Sequence, residues 1–384
     1  MGFSETHWSD PVTYLRTERP DDPVLFLAPH ALQAQARCFL RGFPGLTTYA
    51  VKANPDETVL ANLAAAGIEA FDVASPDEIA LIRRLLPGAA LHYNNPVRST
   101  AEIDFAVAQD VASFSVDSHS ELDKLLRRVP SHRASGVQTE IAVRFKMPVS
   151  GAAYDFGAKF GACEPMAADL LGRVVAAGFA PGLTFHPGTQ CADPMAWDAY
   201  IRAAGRIAGT TPLSRINVGG GFPAHRKRAD APPLTGIFDR IARTRAEVFG
   251  VDAPSLVCEP GRAMVADSVT LALRVKALRD GAHVFLNDGI YGALAEVPSI
   301  GVTDRIAVIA PDGTPRRGAP LPRVVFGPTC DSLDRLPGDT PLPADLAEGD
   351  YVLFHGMGAY SAAIATRFNG FGASARHLVL ALSA

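Results

Sequence analysis

Cysteine is scarce and poorly placed for cross-linking. The 384-residue chain has five (Cys38, Cys163, Cys191, Cys258 and Cys330), an odd number, widely spaced and with no C-x-x-C pair. That excludes a disulfide framework and a thiolate zinc site, and thiols of this kind suit a reducing compartment, so a cytoplasmic location is expected. No apolar run is long enough to span a bilayer, and the opening MGFSETHWSDP carries no apolar signal segment. Charge of one sign is lacking too: 36 Lys and Arg against 40 Asp and Glu leave a formal net charge of -4, which is no footprint for nucleic acid. The one basic cluster, Arg226-Lys227-Arg228, is short and flanked by turn residues, and reads as a solvated loop. Solenoid repeats and low-complexity tracts are absent. What remains, 48% hydrophobic and 20% charged residues, suits a folded chain of one large domain and a smaller one.

From residue 22 to residue 265 one unit recurs: a short apolar or alternating run, a polar or glycine-bearing turn, then a stretch with helical spacing. Eight strands are expected, at TTYAVKA, EAFDVAS, ALHYNN, ASFSVDS, IAVRFKM, LTFHPG, RINVGGG and SLVCEPG. Helix starts are marked by capping-box spacing at Ser75 with Glu78 and at Ser118 with Glu121. In nearly every run unusual groups fall at the C-terminal end: Lys52, Asp72, Asn94, Asp117, Arg144, His186, Gly219 to Gly221 and Glu259. A closed (β/α)8 TIM barrel gathers such ends on one face, whereas an open doubly wound sheet scatters them, so the barrel is expected over 22–265. After residue 265 the runs VTLALRVKAL, AHVFLND, RVVFGPTC, DYVLFHG and HLVLAL have no helices between them. They predict a second, β-rich domain from 266–384 together with 1–21.

Lys52 ends a buried run, where a charge is costly unless it is used. An amine at the functional face of a barrel is the group that forms a Schiff base with a carbonyl, although taken alone a surface lysine at a strand end is the commoner case. Three glycines, Gly219, Gly220 and Gly221, leave backbone N–H groups free to face an anion such as phosphate, or simply make a turn. Glu259, Gly261 and Arg262 in CEPGR add a carboxylate, room for close approach and a fixed cation. His186 offers a flat ring that could stack on a cofactor or be an ordinary core histidine. Cys330, between Pro328 and Asp331 in a turn, is a candidate reactive thiol.

Taken in order, YAVKAN, FDVAS, FHPGTQ, NVGGGFP, CEPGR, NDGIYG, GPTCDSLD and GDYVLFHGMGAY...FNGF resemble the fold type III pyridoxal phosphate decarboxylases. That group covers ornithine, lysine, diaminopimelate, arginine and carboxynorspermidine decarboxylases. GPTCDSLD and FNGF are most similar to the ornithine and lysine branches. The resemblance runs from about residue 22 to the C-terminus. It implies an alanine racemase-like barrel with a β-domain, and a homodimer with shared active sites. It also implies decarboxylation of a basic amino acid, ornithine to putrescine or lysine to cadaverine, through a Schiff base and a quinonoid.

By the same resemblance Lys52 holds pyridoxal 5'-phosphate, Glu259 pairs with the ring nitrogen, and His186 stacks on the ring. Gly219, Gly220, Gly221, Gly261, Arg262 and Tyr360 hold the phosphate, with Asp72 and Arg144 near the ring and the amine. Cys330 and Asp331 come from the partner chain, the thiol protonating Cα and the carboxylate meeting the distal end of the substrate, with Tyr291 and Phe368 beside it. The chain departs from the pattern where ornithine decarboxylases usually carry Tyr-Asp after NDGxYG: it has Ser299 and Ile300. Glu296 is a candidate replacement for that charge. Pro187 and Thr189 replace the commoner Val and Ser of the histidine motif. These changes keep open a diaminopimelate, arginine, carboxynorspermidine or D-amino acid substrate. A racemase would need a tyrosine base in place of the thiol, and a non-catalytic homologue that binds the cofactor is the remaining alternative.

Overall fold

The computed structural model describes residues 4–147, 159–229, 232–372 and 374–383. Eight parallel strand positions close into a ring, as the sequence predicts. Its strands are Ala70–Val73, Ala90–Tyr93, Ser113–Val116, Glu140–Arg144, Ala180–Thr184, Arg215–Asn217 and Ser255–Cys258, each paired to the next, together with a first strand that is broken in two. Leu46–Thr47 pairs with the last strand and Tyr49–Ala50 with Ala70–Val73. Thr48 at the break is buried and sends both its N–H and its hydroxyl to the carbonyl of Cys258, each at 2.9 Å. That double bond satisfies the backbone where the ladder changes partner, and it closes the barrel.

The helices between strands bury one face each, as Ile79 and Ile82 do on Pro76–Leu85. Their caps differ in part from expectation. Ser75 accepts from the Glu78 N–H, but the Glu78 carboxylate accepts from Ala74 rather than from Ser75. Ser118 makes no side-chain cap to its helix, its hydroxyl pairing with that of Ser120, and the buried Glu121 carboxylate binds the Arg98 N–H and Lys124. The reciprocal box lies instead at Ser99 and Glu102.

The second sheet runs Ser4–Trp8, Ala375–Val379, Val24–Leu27, Val269–Arg279, His283–Leu286, Pro320–Phe326, Thr340–Pro343, with Tyr351–His355 pairing Val269–Arg279 and Ile306–Ile309 beyond it. Val24–Leu27 falls inside the 22–265 range expected to be barrel, yet it pairs with Ala375–Val379 and Val269–Arg279. Its four consecutive buried residues read like a barrel strand because both faces of this position are covered. The two sheets share one continuous apolar core in which barrel residues such as Phe71 and Leu91 join Leu271 and Val352. Between them, Arg376 of the second sheet reaches Asp56 at 2.9 Å, and Asn54 donates to Gly358 at 2.8 Å. No helix among the described residues is long and apolar enough to cross a membrane.

Candidate active site

Beyond Tyr49–Ala50 the chain tightens into a 3-10 turn, Val51–Ala53. Val51 and Ala53 are fully buried, and Lys52 between them opens into a cavity of about 420 Å³ at the C-terminal mouth of the barrel. Tyr360 locks the turn from the second sheet's side, its N–H donating to Ala53 at 2.7 Å. A smaller lobe of about 200 Å³ shares Lys52, His186 and Glu259 and adds Asp72, Asn94 and Arg144. Burial alone would lower the Lys52 amine. The charges of Asp72, Tyr360 and Glu259 outweigh both burial and the repulsion of Arg144, and hold it above its ordinary value as an ammonium.

Glu259 follows the last barrel strand. Its Oε1 accepts from Asn94 at 2.5 Å and also from Asn217, and its N–H donates to Gly219 at 2.9 Å. Burial raises this carboxyl above the usual range, while Asn217, Lys52, Arg144 and Asn94 oppose the rise. Burial and the neighbouring Glu259 likewise push Asp72 well up, with Lys52 pulling it back. His186 Nδ1 accepts from the Gly188 N–H at 3.1 Å, which puts the ring proton of the neutral form on Nε2. Burial, then Arg144 and Lys52, drive its pKa well below the ordinary value. A neutral, flat imidazole therefore faces the cavity.

The glycine loop is shaped by contact as well as by backbone freedom. Gly219 has φ +68, and a Cβ there would lie 2.2 Å from the Phe185 carbonyl oxygen; Gly221 has φ +80 and would meet the Gly188 carbonyl at 2.1 Å. Only glycine lets this loop lie directly on the His186 segment. Asn217 ties the pieces together, because its Oδ1 accepts from the Gly219 N–H at 2.9 Å while its amide donates to Glu259. Opposite the loop, Arg262 stands 5.0 Å from the Tyr360 ring centre and forms a two-pronged ion pair with Glu296, Nη1 to Oε2 at 2.5 Å and Nη2 to Oε1. The buried Arg262 Nε has no hydrogen-bond partner among the described residues.

These groups fit pyridoxal phosphate. A lysine amine suits its aldehyde, a fixed buried carboxylate suits a protonated ring nitrogen, a neutral imidazole suits its face, and the cradle without side chains beside Arg262 suits its phosphate. Of the residues predicted from sequence, the cavity and its lobe gather Lys52, Asp72, Arg144, His186, Gly220, Gly221, Glu259, Gly261, Arg262, Glu296 and Tyr360; Gly219 supports the loop from behind. Cys330, Asp331, Tyr291 and Phe368 line neither. They form a separate cluster: exposed Cys330 Sγ lies 3.2 Å from Asn369, Tyr291 donates to Asp331 at 2.5 Å, and the Tyr291 and Phe368 rings are 4.9 Å apart. Sequence reasoning missed Asn217 as the clamp on Glu259 and missed the apolar lining by Phe222 and Ile364. An asparagine directly before a glycine loop was the available signal for the first.

Similarity to known proteins agrees with this chemistry. The chain is 32% identical over 333 residues to a lysine/ornithine decarboxylase of Selenomonas ruminantium, covering 84% of this chain and 80% of that protein. Against ornithine decarboxylase 2 of Drosophila melanogaster it is 32% identical over 348 residues, covering 84% and 82%. The crystal structure of the Paramecium bursaria Chlorella virus arginine decarboxylase superimposes with a TM-score of 0.84 at 26% identity, over 95% of this chain and 98% of that one. Residues 30–266 match the pyridoxal-binding domain of the pyridoxal-dependent decarboxylases, and with the barrel, its β-domain and a lysine poised between carboxylates already in place, the chain belongs to that family.

Proposed function

We propose that the protein decarboxylates a basic α-amino acid, ornithine or lysine, with Lys52 as the residue that holds pyridoxal phosphate. The observation that carries the reading is the Lys52 ammonium set among Asp72, Glu259 and neutral His186 at the barrel mouth. When bound, the cofactor supplies a protonated ring that accepts the electron pair left on Cα as carbon dioxide departs. Glu259, immobilised by Asn94 and Asn217, keeps a proton at the ring nitrogen. His186 supports the ring face without adding charge, so it does not oppose that proton. Gly220, Gly221, Arg262 and Tyr360 anchor the phosphate end, with Gly219 and Gly261 giving the backbone its approach. Lys52 Nζ holds a proton here, and the Asp72 and Glu259 carboxylates are placed to hold the positive charge or accept that proton.

Completing the site takes a second copy of the chain. Cys330 and Asp331 lie on a turn outside this chain's own cavity, beside exposed Leu333 and Phe368. Delivered across a homodimer interface, the Cys330 thiol would give Cα its proton and Asp331 would meet the substrate's distal ammonium, with Tyr291 holding that carboxylate and Phe368 packing beside it. Five unpaired cysteines are in keeping with a cytoplasmic enzyme. The test is carbon dioxide release by the pyridoxal phosphate-loaded protein from L- and D-ornithine, lysine, arginine, diaminopimelate and carboxynorspermidine. Release from ornithine or lysine supports the reading, and silence on every basic amino acid would sink it.

A further inference from the structure

Glu296 does not stand free to receive a substrate ammonium. It lines the cavity and engages both terminal nitrogens of Arg262, the cation assigned above to the phosphate. The third nitrogen, Nε, is buried. The pair takes one N–H from each terminal nitrogen, so an anion in the cavity competes with a carboxylate of the same chain for Arg262. A phosphate dianion arriving beside that carboxylate meets like charge as well as a partly occupied cation.

A second cation stands ready. Arg226, expected from sequence in a solvated loop, is half-buried and donates to the Gly301 carbonyl at 2.5 Å. With Arg262, Glu296 and Ile300 it lines a narrow cleft behind the cavity wall. Burial and the nearby Arg262 push Arg226 down to about 10, while Glu296 works the other way. Its side chain thus lies within the electrostatic reach of both members of the ion pair. Glu296 sits at the start of the single-turn helix Val297–Ile300 and is only partly covered, so its side chain has room to change partner.

We propose that Glu296 is an internal stand-in for the cofactor's phosphate: it holds Arg262 while the cofactor is absent and transfers to Arg226 when the phosphate arrives. Glu296 thereby weakens cofactor binding, and Arg226 limits that penalty by receiving the displaced carboxylate. The inference rests on the assignment of Arg262 to the phosphate, and the experiment separates the two.

Cofactor-free protein is titrated with pyridoxal phosphate, and separately with pyridoxal, following the visible absorption of the bound form; inorganic phosphate serves as competitor. Arg262→Met should weaken pyridoxal phosphate but not pyridoxal. If it weakens neither, the phosphate assignment fails. Given that assignment, Glu296→Gln should tighten pyridoxal phosphate and inorganic phosphate by roughly fivefold, the scale of one partly buried ion pair, and leave pyridoxal unchanged. Arg226→Met should weaken pyridoxal phosphate, and should do so much less in the Glu296→Gln background. Glu296→Ala provides the same charge removal without a residual amide bond. Unchanged or weaker phosphate binding in both Glu296 variants would overturn the stand-in role while leaving Arg262 in place.

Discussion

Replacing Asn217 by leucine removes the two hydrogen bonds by which one side chain holds both the carboxylate and the glycine loop. The side chain is 6% exposed, so leucine keeps the volume while removing the donor to Glu259 Oε1 and the acceptor for the Gly219 N–H. A hydrogen bond to a buried charge is worth about 1.5–3 kcal/mol. One pKa unit is about 1.4 kcal/mol, so the Glu259 carboxyl should rise by roughly one to two units beyond its already raised position. A carboxyl raised in the folded state favours folding below its unfolded pKa, and that advantage is lost as pH climbs through the folded value. The variant's loss of stability should accordingly be full above the folded pKa and shrink in acid, where Glu259 is protonated with or without its partner. Urea unfolding of cofactor-free protein at about pH 5 and about pH 8 reads this directly. The affinity for pyridoxal phosphate should fall as well, because both the ring carboxylate and the loop lose an anchor. An equal loss of stability at the two pH values, with cofactor affinity intact, would refute the clamp.

Three further outcomes follow from the geometry. Gly221→Ala places a Cβ 2.1 Å from the Gly188 carbonyl at a φ of +80; it should cost at least about 2 kcal/mol and abolish tight cofactor binding, measured by unfolding and titration. Cys330→Ala should lower turnover and shift products toward decarboxylation-dependent transamination, since Cα loses its proton donor; unchanged rate and partition would misplace the thiol. Mixing Lys52→Ala with Cys330→Ala should make about a quarter of the sites intact and raise activity above either variant alone if they are built across a twofold interface, and should add nothing if each chain is self-sufficient.

Much of the barrel was legible because its signal is local and repeated: eight apolar runs, nearly all ending in an unusual group, place Lys52, Asp72, Arg144, His186 and Glu259 on one rim. Val24–Leu27 was not read as a strand and fell inside the barrel's expected range; a strand pattern reports burial and not the identity of the neighbour. Thr340–Pro343 and Ile306–Ile309 went unread, the first being a short strand flanked by turn residues and carrying two prolines, which argue against a sheet interior. In the site, residue type was enough to nominate Arg262 and Glu296 individually, but not to show that they bind each other, since residues 34 positions apart meet only through the fold. Arg226 was misjudged for the same reason. Lys227 and Arg228 beside it are exposed, and its partner Gly301 comes from a distant loop.

Lys52, set beside Asp72 and Glu259, should be the amine that takes the cofactor. Borohydride reduction of the pyridoxal phosphate-loaded protein, followed by peptide mapping, reads this out. A single pyridoxyl label on Lys52, absent from Lys52→Ala along with the visible absorption, is expected. A label on another lysine, or undiminished absorption in that variant, would contradict it.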